Sequence, residues 1–166
     1  MGKNDILMKK WISDKERFAD LFNGGLFGGK QVIDPEGLEN EEIHQELLIP
    51  DQEKHVVPIR RYHDVVMKSR QNLRLLVLAC ENQQKVHYGM AVRGMLYDAL
   101  SYTEQIRRLT LKNRKEKKLT NSAEFLSGIA KEDKILPVLT VVFYYGDEGK
   151  WDASKDLYGM MEWGGR

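Results

Sequence analysis

Residues 62–81 read YHDVVMKSRQNLRLLVLACE, and this stretch decides the fold. Leu73 to Cys80 is almost continuously apolar, as expected of a strand buried on both faces. Upstream, His55 to Ser69 carries Val56, Val57, Ile59, Tyr62, Val65, Val66 and Met67, which suits one or two strands separated by a kink at Pro58. Ser69-Arg70-Gln71-Asn72 is polar and reads as a turn. A hairpin folded about Gln71-Asn72 therefore feeds a central strand.

Toward the N-terminus, Ser13 to Asn23 sets Phe18, Leu21 and Phe22 on one helical face, with Ser13 the expected cap and Glu16 its reciprocal partner. Gly24-Gly25 stops that helix, and Asp34-Pro35-Glu36-Gly37 is a turn sequence. Residues 36–54 are rich in carboxylates and poor in large apolar side chains, so a solvated segment with irregular or short helical structure is expected. Toward the C-terminus, Tyr88, Val92, Met95, Leu96, Ala99, Leu100 and Ile106 recur at helical spacing, predicting a long helix from Val86 to about Leu109. Residues 107–119, RRLTLKNRKEKKL, are the only dense positive cluster, read as a solvated helix end or else as a contact to a DNA backbone. LPVLTVVFYY, 136–145, is β-branched and aromatic and predicts another buried strand, stopped by Gly146. The order helix, strands, helix, strand gives an α/β fold with a central mixed sheet flanked by helices.

Composition bounds the rest. A chain of 166 residues reads as a single domain over 1–166, and its 42% hydrophobic and 31% charged content excludes a disordered polymer. Lys and Arg number 26 against 25 Asp and Glu, so affinity for nucleic acid has to come from local patches. One cysteine, Cys80, rules out an internal disulfide framework and favours a reducing compartment. The start, MGKNDILMKKW, is not a secretory signal, and no apolar run is long enough for a bilayer, so a cytoplasmic protein with no membrane partner is expected.

Chemistry enters at the end of the apolar strand. Glu81 follows it directly, and desolvating a carboxylate costs several kcal/mol unless it is paired or metal-bound. Glu81 and Gln83 share a face by strand periodicity. Folding the hairpin about Gln71-Asn72 sets Asp64 opposite roughly residue 79, about one pair from Glu81. Two carboxylates that close repel unless a divalent cation lies between them.

An acid on one strand followed by acid-x-polar on the next resembles the PD-(D/E)xK nuclease superfamily. Arg60-Arg61-Tyr62-His63-Asp64-Val65-Val66-Met67 is similar to the RRxDLLY segment of the recombination-promoting nuclease and YhgA-like transposase family. Leu78-Ala79-Cys80-Glu81-Asn82-Gln83 resembles its LLEHQS segment, with Asn82 where His is usual and Gln84 where Ser is usual. Met90-Ala91-Val92-Arg93-Gly94-Met95-Leu96-Tyr97 is similar to its MxxRLLxY helix, and Leu136 through Gly146 with Trp151 to its LPpVxPxVxYxG…W strand and turn. The four matches keep their order and spacing.

The resemblance implies a PD-(D/E)xK nuclease-like core and a Mg²⁺-dependent DNA endonuclease associated with recombination or mobile elements. It implies that Asp64, Glu81 and the main-chain carbonyl of Asn82 hold Mg²⁺, for which Mn²⁺ could substitute, and that Gln83 positions the attacking water. In the wider superfamily a lysine stands at the position of Gln83, whereas glutamine is usual in this narrower family; an amide orients water without supplying positive charge. Lys68, four residues after Asp64, and Lys85, two after Gln83, are the lysines that could take over. Asp20 or Glu16 is the candidate acid from the first helix, and Arg93 and Tyr97, at i and i+4, could brace the acids or touch phosphate, with a packing role an equal alternative. Relatives of this family continue further, which leaves the chain open to C-terminal truncation; a homo-oligomer is compatible with all of this.

Other readings compete. Asp64 could pair with Arg61 or Arg93, and Glu81 could cap the following helix. The leading rival function is a catalytically inactive DNA-binding or assembly module on the same fold. A small-molecule enzyme using the same acids has no pocket signature to support it. His63 and His87 have no partner at a zinc-type spacing, Gly24-Gly25 and Gly28-Gly29 are not followed by Gly-Lys-Ser/Thr, and Tyr144-Tyr145 and Trp151 read as core and turn anchors.

Overall fold

The expected hairpin is formed by β4 (Val65–Ser69) and β5 (Arg74–Cys80), which pair antiparallel with Val65 opposite Val77 and Lys68 opposite Arg74. The computed structural model describes residues 3–41, 46–50, 56–60, 65–70, 73–80, 86–144 and 149–163. The Ser69 N–H donates to the Leu73 carbonyl at 2.9 Å, at the end where β4 leads into β5. A hairpin about Gln71-Asn72 would have set Val65 against Leu78; the observed register is shorter by one residue.

β1 (Leu38–Asn40) pairs antiparallel with the other edge of β4, and β6 (Val138–Tyr144) runs parallel to β5 with Cys80 opposite Tyr144. The sheet is mixed, in the order β1-β4-β5-β6. A separate two-stranded ribbon, β2 (Glu46–Pro50) with β3 (Val56–Arg60), occupies the chain between β1 and β4. Within 36–54, where irregular or short helical structure is expected, the described residues form the end of the 3₁₀ turn Pro35–Gly37 and then the strands β1 and β2. Carboxylate content hid this, although Leu38 is fully buried and starts β1. Pro58 does not divide the strand: it sits inside β3 opposite Leu48, and among the described residues β3 has β2 as its one strand partner, which leaves an edge where proline is tolerated.

Alternation along β4 assigns the two faces of the sheet. Val65 and Met67 pack with Leu75, Leu38, Ile33, Ile12, Phe18 and Phe22, whereas Val66 packs with Val138 and Tyr102. The first face is covered by α1 (Lys3–Ile12) and α2 (Lys15–Gly25), the second by α3 (Met90–Glu116). The rings of Phe18 and Phe22 lie 5.1 Å apart, and burying each contributes roughly 2–3 kcal/mol. This is an α/β protein with helices on both faces of a mixed sheet.

Helix limits depart from expectation for local reasons. Asp14, not Ser13, caps α2, its carboxylate accepting from the Arg17 N–H at 3.1 Å; the Ser13 hydroxyl instead donates to the Lys9 carbonyl at the end of α1. The α1 helix was not foreseen. α3 begins at Met90, after a turn that holds Tyr88, and outlasts Leu109 by two turns, ending where Lys117 takes a left-handed conformation at φ 52°. A short α4 (Ser122–Ser127) follows, capped by Asn121. Asp34 caps the 3₁₀ turn Pro35–Gly37 as its turn sequence predicts. Among the described residues no helix is long and apolar enough to cross a membrane.

Candidate functional site

Asp64, Glu81, Asn82, Gln83 and Lys85, together with His63, lie outside the described residues. The strands that lead to them are described. In an antiparallel pair the first residue of one strand and the last of its neighbour share an end, so β4 begins at Val65 and β5 finishes at Cys80 at the same end of the sheet. Tyr144, opposite Cys80 on β6, marks that end as well.

α3 returns along β6 from this end. The Thr140 hydroxyl donates to Asp98 at 2.5 Å, the Val138 N–H donates to the Tyr102 hydroxyl at 3.0 Å, and the Leu136 N–H donates to Gln105 at 2.6 Å. Rising residue numbers in α3 thus meet falling numbers in β6. The first turns of α3, with Arg93 and Tyr97, lie in the half of the helix nearest Cys80 and Tyr144. Burial raises the pKa of Asp98, and the Thr140 hydrogen bond opposes that rise.

Arg93 and Tyr97 come together, as their spacing of four predicts. The Arg93 Nε–H donates to the Tyr97 hydroxyl at 2.9 Å, and the guanidinium carbon lies 5.5 Å from the ring centroid. The tyrosine is buried and the arginine half-buried, so the pair presents one cation held in a fixed orientation.

The other accessory candidates are dispersed. Lys68 is exposed at the turn end of β4, opposite both Arg74 and Glu39, and three residues of strand, about 10 Å, separate it from Val65. Asp20 and Glu16 are exposed on α2, which covers the face of the sheet opposite α3. Neither α2 acid stands on the face that carries Arg93 and Tyr97.

The C-terminal segment closes on the same end. The Tyr144 and Trp151 rings meet edge-on at 5.4 Å, in line with their reading as anchors, and the Tyr88 hydroxyl donates to Asp152 at 3.2 Å. The negative charge of Asp152 raises the Tyr88 pKa. His87 is half-buried, and its enclosed Nδ1 has no hydrogen-bond partner among the described residues.

Farther along α3, Glu104 receives two hydrogen bonds from Arg107, at 2.7 and 2.8 Å, and one from Arg108 at 2.8 Å; Arg108 also donates to Glu41 at 2.8 Å. The Arg107 bonds, with help from Arg108 and against burial, lower the Glu104 pKa to about 2. The i,i+3 and i,i+4 spacings were legible in sequence, whereas the reach to Glu41 was not. Asn113 donates to the Gly128 carbonyl at 3.1 Å and to Asp133 at 2.6 Å, and Lys118 pairs with Asp133, which lowers the Asp133 pKa to about 2.

Among the described residues no group of three or more His, Cys, Asp or Glu side chains could hold a metal ion. Comparison with protein-family models, with curated proteins and with solved structures finds no match to this chain.

Proposed function

We propose that this chain is a metal-dependent DNA endonuclease of the PD-(D/E)xK type, similar to the recombination-promoting nuclease family. One observation carries the proposal: Val65 pairs with Val77, so the strand that leaves Asp64 and the strand that enters Glu81 are neighbours and meet the same end of the sheet. The Arg93–Tyr97 pair stands in the near half of α3, on the face that this helix covers.

Asp64, Glu81 and the Asn82 carbonyl would hold Mg²⁺; two carboxylates and a carbonyl are a hard oxygen set that leaves positions for water and phosphate. When bound, the ion supplies Lewis acidity for hydrolysis of a phosphodiester. Gln83 would orient the attacking water through its amide oxygen. Arg93, held by Tyr97, would offer its remaining N–H donors to a phosphate oxygen. Lys85 could supply a cation beside that phosphate, a role for which Lys68 stands too far along β4.

A catalytically inactive DNA-binding module is the second reading: Gln83 matches the narrower family, but its amide supplies no positive charge where the wider superfamily carries lysine. Plasmid nicking at low salt by wild type, Asp64→Ala and Glu81→Ala, each with Mg²⁺, Mn²⁺ or EDTA, separates the two. A nuclease cuts only with metal and both acids. An inactive module binds DNA equally in all three proteins and cuts in none.

A further inference from the structure

The Lys/Arg run at the end of α3 divides into two classes. Arg107 and Arg108 are neutralised by Glu104 and Glu41, and Lys118 by Asp133. Lys112, Arg114, Lys115 and Lys117 are exposed, and none is within ion-pair distance of a carboxylate among the described residues. Their spacing puts Lys112 beside Lys115 and Arg114 beside Lys117, so like charges are neighbours on the helix surface. Lys117 also occupies a left-handed backbone position that glycine would fill without strain. Four exposed cations, one of them at a strained position and with Glu116 the one carboxylate in the run, form a surface of net positive charge suited to a polyanion.

We infer that this distal end of α3 grips the phosphate backbone of DNA, at a place separate from the proposed cleavage site; the inference rests on the DNA-binding reading above. Arg93 to Arg114 is 21 helical residues, roughly 32 Å at the rise of an α-helix. That is close to one turn of B-DNA, about 34 Å. A duplex lying along α3 would meet Arg93 and the basic tip one turn apart. The tip would add affinity without touching the reacting phosphate.

The test measures DNA binding by anisotropy in EDTA, so that no cleavage intervenes, using a labelled 30-bp duplex over a range of salt. The variant carries Lys112→Gln, Arg114→Gln, Lys115→Gln and Lys117→Asn, substitutions chosen to keep helix propensity and the left-handed cap. A charge-matched control carries Lys9→Gln, Lys10→Gln, Lys30→Gln and Lys134→Gln, all at exposed positions. If all four cations contact phosphates, the slope of log K against log salt shrinks by about 3–4 in the variant and stays unchanged in the control. Thermal melts of both proteins confirm that each is folded. A slope equal to wild type in a folded variant, or an equal loss in the control, overturns the assignment. Wild type that fails to bind DNA at low salt defeats the nuclease proposal as well, so the two failures are distinguishable. Vesicles of phosphatidylserine and phosphatidylcholine form a second arm. Vesicle binding lost in the variant, with an unchanged DNA slope, would reassign the patch to a membrane surface and overturn the inference.

Discussion

Asp98 on α3 accepts a 2.5 Å hydrogen bond from the Thr140 hydroxyl on β6, and this bond fixes the level at which the helix crosses the sheet. The same level decides which end of α3 approaches Cys80 and Tyr144. Thr140→Val keeps the shape and removes the donor, leaving a half-buried carboxylate without it. We expect a loss of about 1–3 kcal/mol in urea unfolding.

Asp98 itself should respond to pH in the opposite sense from most carboxylates. Its folded pKa lies above the ordinary value of 3.8, chiefly because of burial. The folded state therefore holds this proton more tightly than the unfolded state, and the Asp98 contribution to stability falls as pH rises from 3.8 through the raised value. Asp98→Asn keeps an acceptor for Thr140 and removes the charge. Its melting temperature should equal or exceed wild type at pH 7, and the difference should shrink at pH 3. A variant less stable at pH 7 by several degrees would contradict this.

Glu104 behaves conventionally. Its pKa is held near 2 by Arg107 first and Arg108 second, below an ordinary value of 4.5. Its stabilisation is complete above 4.5 and is lost as pH falls from 4.5 toward 2. Both arginines are about half exposed, so solvent screens the pairs and Glu104→Gln should cost only about 1 kcal/mol at pH 7. Unfolding measured at pH 7 and pH 2.5 should show the gap between variant and wild type closing. A gap that widens in acid would exclude the assignment.

Asn23, 1% exposed at the end of α2, accepts from the N–H groups of Val32 and Ile33 at 3.0 and 2.8 Å and donates to the Ile33 carbonyl at 2.9 Å. It pins the glycine-containing loop beneath the first core face. Asn23→Ala leaves buried backbone groups without partners and should destabilise by about 3 kcal/mol. Denaturant unfolding with an unchanged midpoint would show that the loop is satisfied in another way.

Periodicity made the β4–β5 hairpin, the long helix and β6 legible, because each is a sustained apolar pattern. What escaped was decided by tertiary partners. Leu38 starts β1 inside a carboxylate-rich segment because it is buried under α2 and pairs with Ser69. The cap of α2 moved one residue because Ser13 is taken by the Lys9 carbonyl. The spacing of four between Arg93 and Tyr97, and of three and four between Glu104 and its arginines, is a signal from which these pairs could be read. Asn113, which ties α3 to Gly128 and Asp133, gave no sequence signal, since its partners lie 15 and 20 residues away. Hairpin logic set the β4–β5 register one residue too long, and Asp64 and Glu81 lie outside the described residues.

The most direct test of the nuclease proposal separates chemistry from binding. Single-turnover cleavage of an end-labelled duplex is followed with wild type, Asp64→Asn and Glu81→Gln, each at protein concentrations where anisotropy shows the DNA fully bound, in Mg²⁺ and in EDTA. Metal-dependent wild-type cleavage that falls at least ~100-fold in each variant, roughly 2.7 kcal/mol of transition-state stabilisation, is the expected result. Cleavage by either variant at the wild-type rate, or by wild type in EDTA, would contradict it.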